Sequence, residues 1–265
     1  PQLPCLQTAW LLLYYCAVPR LNHLLRTTPT DLVEPLATTH DATILDLFRQ
    51  IFGIPGPDAW EERTHGLAFA TWVQQARLPL RLGGAGLRCA ARTRYAAYWA
   101  GWADTLPGLL QRFPRLGNDI LDGFNALQNA PNLAGPRCLV LAERAGRQCA
   151  EAGWNTKPTW QTLADGERPP QPDHMEYTSG EWHEGWQYHA NYEIEAKSHA
   201  ELLRDHAPPG SRRNAATPGK ARLHSCMGPF ASTWLLVSPT TEALYIRNEE
   251  FQCAMRRRLG ISVLF

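Results

Sequence analysis

The sequence contains no Asp-Asp dipeptide, no CxxC, no Gly-Lys-Ser/Thr and no GxSxG. Each absence removes a class of chemistry. Without CxxC, seven dispersed cysteines do not suggest a zinc ribbon or a thioredoxin-type redox pair. Without Gly-Lys-Ser/Thr there is no phosphate-binding loop of the NTPase kind. Without GxSxG there is no nucleophile elbow. Apolar runs are short as well: the longest, Ala9 to Val18 (AWLLLYYCAV), is about half the ~20 residues that span a bilayer, and Pro19 and Arg20 end it. A core helix is the expectation there, and no membrane partner. Charge is balanced too, with 26 Lys and Arg against 25 Asp and Glu, so affinity for a polyanion has to come from local clusters. The odd, widely spaced cysteines suggest reduced thiols in an intracellular, non-secreted protein, nuclear or cytoplasmic. The first residue is Pro1, inside an apparent helix, which is what a piece of a longer chain would look like.

Hydrophobic spacing predicts a mainly α fold: an irregular multi-helix array with long Pro/Gly-rich loops. Leu6, Trp10, Leu13 and Ala17 form one stripe, which Pro19 interrupts. DATILDLFRQIFG, after His40, reads as a helix with Ile44, Leu47, Phe48 and Ile51 inward and Gly53 at its end. Asp58 caps a helix expected over 59–75. Pro107 to Leu127 reads as short helices separated by Pro114 and Gly117, and 137–152 as another helix. Four tryptophans, Trp154, Trp160, Trp182 and Trp186, punctuate a polar background over 153–189. A helix over 190–206 is followed by a basic Pro/Gly-rich loop from Pro208 to Lys220. FASTWLLV (230–237) suggests one small β element near the C-terminus, and Asn248 caps a last helix that Gly260 ends. Three regions result: a helical part over 1–152, an irregular Trp-rich connection over 153–189, and a C-terminal helical part over 190–265.

The stretch ARLPLRLGGAGLRCAARTRYAAYWAGWAD (76–104) poses the functional question. Gly84 and Gly86 fit the first two glycines of a dinucleotide fingerprint, but Cys89 stands at the third, and RLPLRL does not read as a buried parallel strand. A tight turn before a helix is the simpler reading. Arg77, Arg81, Arg88, Arg92 and Arg94 lie close together with no acid before Asp104. On the helix that follows, Leu87, Ala91, Tyr95, Tyr98 and Trp102 make one core-like stripe. Arg88 and Arg92 fall on another face, with Trp99 beside them. Guanidinium groups next to an exposed aromatic suit a nucleic-acid backbone and an unstacked base, although composition alone favours a solvated helix face over phosphate contact.

Histidines offer a metal site. His183, His189, His199 and His206 cluster, and His183-Glu184 opens like HExxH, but Gln187 stands where the second histidine is required. Surface histidines around tryptophans are the expectation, without structural zinc.

Three segments in order carry a resemblance: LQTAWLLLYYCAVPRLNHLLRTTP (6–29), RLPLRLGGAGLRCAARTRYAAYWAGWADTLP (77–107) and ASTWLLVSPTTEALYIRNEEFQCAMRRRLGI (231–261). They resemble non-LTR-retrotransposon-type reverse transcriptase polyproteins, in the thumb-side region downstream of the polymerase palm. Members there carry LP-x-x-x-GGLGLRSA…AAYWASWADALP and F-x-x-AL-x-x-RLGL patterns. The stretch from about 153 to 210 matches no such pattern. The resemblance implies RNA or RNA–DNA hybrid and the upstream palm of the same polyprotein as partners. Paired carboxylates holding magnesium for phosphoryl transfer belong to that palm, and no catalytic residue or cofactor carries over to this chain. The rival expectation is a helical scaffold or protein-interaction domain without nucleic-acid binding.

Overall fold

Pro19 loosens the first helix without stopping it. In the computed structural model, which describes residues 5–61, 68–170, 185–206, 217–228 and 230–261, α1 (Leu6–Leu12) passes into a π turn (Leu13–Ala17) and then a 3-10 turn (Val18–Leu21) that holds Pro19. The wider π turn and the tighter 3-10 turn after it accommodate the missing amide and the ring of Pro19. Then come α2 (Asn22–Thr27), α3 (Thr30–Phe52), α4 (Phe69–Arg77), α5 (Ala90–Arg112), α6 (Pro114–Asn129) and α7 (Arg137–Ala152). They are followed by α8 (Trp160–Ala164), α9 (Trp186–Asp205), α10 (Pro218–Ser225), α11 (Thr233–Leu236) and α12 (Asn248–Arg258).

The fold is mainly α, and several boundaries differ from expectation. The helix expected after His40 is the second half of one 23-residue helix, α3, that starts at Thr30, and within it Leu47 is exposed. At Asp58 the chain makes a 3-10 turn, Pro57–Ala59, and the later part of the expected helix is α4, from Phe69; residues 62–67 lie outside the described residues. Pro107 lies inside α5, and α6 starts at Pro114 and runs through Gly117. The expected strand over 230–237 is the short helix α11 instead. A short run of aromatic and branched residues has no periodicity of its own, so its tertiary setting decides. Among the described residues the β pairing is a single antiparallel bridge, Leu82 with Met227. No helix among them is long and apolar enough to cross a membrane.

The chain divides into two units built from separated segments, unlike the three consecutive regions expected. The first comprises 1–20, 39–89 and 198–265; the second, 21–38 and 90–197. Trp10, Phe48, Phe52, Trp72, Phe251 and Met255 fill the first unit's core. Gln7, fully buried there, spends its amide on the chain near the C-terminus: Nε2 donates to Val237 O and Leu244 O, and Oε1 accepts from Ile246 N. Asn248, expected to cap its own helix, accepts from Leu6 N at 3.0 Å and so caps α1.

The second unit's core holds Trp99, Trp154, Trp160, Trp186 and Phe124, with α5 packed on α2, α6 and α7. Trp160 stacks on Phe124 at 3.7 Å and donates to Glu143 Oε2 at 2.8 Å. The described tryptophans of the expected irregular connection are therefore core residues; Trp182 lies outside the described residues.

Candidate nucleic-acid interface

Every amide of the glycine turn is already used. Gly83, Gly84, Ala85, Gly86 and Leu87 each donate to a backbone carbonyl between Ala76 and Leu80. No N–H of that run is left to cradle a phosphate, which rules out the nucleotide-loop reading on geometry. Gly84 is there for close approach: a Cβ at this position would lie 2.0 Å from Leu78 O. Gly86 takes φ +70°, open to glycine without strain. Cys89, at the would-be third glycine, is buried, and its thiol donates to Asp41 Oδ2 at 3.1 Å.

The turn's carbonyls are gripped from the far end of the sequence. Arg258, 4% exposed, donates to Leu80 O at 2.7 Å, Gly84 O at 2.9 Å and Ser232 Oγ at 2.8 Å. Ser232 in turn donates to Leu80 O. Fully buried Gln75 donates to Gly83 O and to Arg258 O, and accepts from Arg222, which also bonds Arg258 O. Burial pulls both guanidinium pKa values below their usual range; Cys226 opposes this in each, and at Arg258 the neighbouring Arg222 adds to the lowering. Arginine stays charged even so. Arg258's bonded partners are carbonyl and hydroxyl oxygens, so a cation is buried among neutral acceptors with the turn wrapped around it. Sequence reasoning does not find this clamp: it lies in a run of three arginines, 256 to 258, of which only tertiary packing selects one.

The expected site residues separate. Arg77 closes α4, half-exposed, with Arg81 half-exposed on the turn and Arg88 exposed after it. All three belong to the first unit. Arg92, half-exposed, lies on α5 in the second. Arg94 and Trp99 correct the expectation. Arg94 is 6% exposed, ion-paired to Glu34 at 2.8 Å and bonded to Tyr95 Oη. Trp99 is 0% exposed, edge-on to Trp154 at 4.8 Å. A fully buried indole offers no face to a base. Ala96 to Ala100 are all buried, so α5 is enclosed on most of its circumference and a single-stripe reading fails.

The histidines correct it too. His189 and His199 are 6% and 8% exposed, core rather than surface, and His183 lies outside the described residues. Trp154 Nε1 donates to His189 Nδ1 at 3.3 Å. Burial lowers the pKa of His189, opposed by Glu193, and that of His199, where His224 and Arg81 add to it. His206 is lowered by burial and by Arg222.

No family model matches this chain, and no curated protein or solved structure matches it.

Its charge, balanced overall, is divided between the units. The first carries 15 Lys and Arg against 10 Asp and Glu, net +5; the second carries 11 against 15, net −4. Phosphate contact is thus favoured on the first unit, where Arg77, Arg81 and Arg88 lie, and opposed on the second.

Proposed function

We propose that this chain is the thumb-side and connecting region of a non-LTR-retrotransposon-type reverse transcriptase. Its first unit holds RNA or an RNA–DNA hybrid by the phosphate backbone through Arg77, Arg81 and Arg88. One observation carries the reading. Two of the three segments that bear the resemblance lean directly on each other, because Arg258 of the RLG element bonds the carbonyls of the LP…GG turn. The net charge of +5 on that unit supports it. Polymerase chemistry, with its carboxylates and magnesium, belongs to the palm upstream in the same polyprotein, and the setting is intracellular.

The test is fluorescence anisotropy with a labelled hybrid at several salt concentrations. Replacing Arg77, Arg81 and Arg88 with Gln reduces the slope of log K against log salt by about 0.7 to 0.9 for each phosphate that is no longer neutralised. The purified chain extends no primer. Affinity that is absent, or indifferent to salt, hands the lead to the scaffold reading. For the second unit the scaffold reading is already the better one, since Arg94 and Trp99 are internal and its net charge is −4.

A further inference from the structure

Within the first unit, two tyrosines stand where the start of the chain meets the glycine turn. The π turn Leu13–Ala17 carries both. Trp10, in that unit's core, holds Tyr14 with ring centroids 5.4 Å apart. Tyr14 in turn lies against Gly86, where a Cβ would come within 2.6 Å of its Cε2. Gly86 therefore leaves room for the Tyr14 ring as well as taking φ +70°.

Tyr15 is the unusual member. It is 56% exposed, and it meets Tyr14 edge-to-face, with centroids 5.0 Å apart and planes at 85°. Such a contact takes at most one face of a ring, so at least one face of Tyr15 is turned away from Tyr14. Leu12, three residues earlier, is exposed too. The surroundings are basic. Arg88 donates its amide to Gly86 O at 2.9 Å, its side chain is exposed, and no acid among the described residues pairs with it. Exposed Arg20 ends the 3-10 turn that continues from the π turn. Neither 1–20 nor 76–88 contains an acid, and Asp41, which reaches Cys89, is buried.

We propose that Tyr15 is a stacking platform for an unpaired base of a single-stranded RNA stretch, with Arg88 on the neighbouring phosphates. Every base has a π face, so an exposed ring beside guanidinium groups receives any of the four. A base inside a duplex is stacked on both sides and offers no face. Tyr15 therefore distinguishes an unpaired overhang from the duplex that adjoins it. The buried core aromatics anchor the platform: Trp10 fixes Tyr14, and Tyr14 fixes Tyr15. This rests on the reading of the first unit as the holder of an RNA–DNA hybrid, and it supplies the exposed aromatic that buried Trp99 is not.

Fluorescence anisotropy on the whole chain tests it with three probes. One is a blunt RNA–DNA hybrid, one the same hybrid with a short single-stranded RNA overhang, and one that hybrid with an overhang of abasic ribonucleotides. The normal overhang binds about fivefold or more tighter than the abasic one, which keeps the phosphates and lacks the bases. Tyr15→Ala abolishes that gain and Tyr15→Phe keeps it. Tyr15→Ala leaves the salt slope as it was, whereas Arg88→Gln lowers the slope of both overhang probes by about 0.7 to 0.9. Both positions are exposed, so the variants keep the parent's urea midpoint. On the unmutated chain, 5-iodouridine in the overhang crosslinks to Tyr15 on irradiation. An overhang gain that survives Tyr15→Ala, or that the abasic overhang shares in full, overturns the proposal. It leaves the phosphate contacts of Arg77 and Arg88 standing, and Leu12 with Tyr15 as an apolar patch for a protein. Overhang binding that depends on Tyr15, with no affinity for the blunt hybrid, upholds the platform and overturns the hybrid reading. No affinity for any probe overturns both.

Discussion

Replacing Arg258 by methionine keeps most of the stem's volume and removes the guanidinium. Three short bonds go with it, to Leu80 O, Gly84 O and Ser232 Oγ. Hydrogen bonds to charged groups contribute about 1.5–3 kcal/mol each, and a buried carbonyl left without a donor costs about 1–3 kcal/mol. Against this stands the relief of no longer burying a cation, which costs several kcal/mol in a protein interior. The balance is a loss of about 3–5 kcal/mol, the range seen when one partner of a buried charged network is removed. Leu80 O keeps Ser232 and the Gly83 amide, so Gly84 O suffers most. Arg258→Lys falls between, since one ammonium cannot span both carbonyls with the fork of a guanidinium. Exposed Arg257 is the internal control, and its replacement by Met changes stability by no more than ~0.5 kcal/mol. Urea melts followed by circular dichroism measure all three, with hydrogen exchange at the Gly84 and Gly86 amides reporting on the turn itself. A loss below about 1 kcal/mol for Arg258→Met, or one equal to that of Arg257→Met, refutes the clamp.

Gly84→Ala destabilises the first unit in the same melts, because its Cβ would meet Leu78 O at 2.0 Å, and a neutral result contradicts the close approach. Trp99→Ala costs about 3–5 kcal/mol in the second unit and leaves RNA affinity unchanged, as a core aromatic should; weakened binding without destabilisation reverses its assignment. His189, His199 and His206 all have pKa values lowered by burial, so below about pH 6.5 the unfolded chain takes up protons that the folded one refuses. Stability is then full above that pH and falls as pH drops below it, by at most about 1.4 kcal/mol per pH unit for each histidine, and denaturant melts from pH 8 to 5 show no such fall from these rings if they are exposed. Burial pushes the Cys149 thiol up to about 12, opposed by Lys157, so at pH 8 a thiol reagent modifies exposed Cys16 and spares Cys149 until the chain unfolds.

Local order determined part of this protein from the sequence alone. The mainly helical fold, the helix over 137–152 and the glycines that follow α3 and α12 were all legible, because 3.6-residue spacing and C-terminal glycines act within a turn or two of chain. The tight glycine turn was legible as a turn. Which way α5 faces was not: with Ala96 to Ala100 all buried, no stripe marks its core side, and Trp99 went to the wrong face. Nor did the sequence separate a charge-balanced chain into a unit of +5 and one of −4, since each unit gathers segments far apart along it. The choice of Arg258 over Arg256 and Arg257, and of His199 as a buried ring, was made by tertiary structure. Adjacent residues of one type have nearly the same local propensity, and only the carbonyls, leucines and charges that other segments bring alongside decide which of them goes inside.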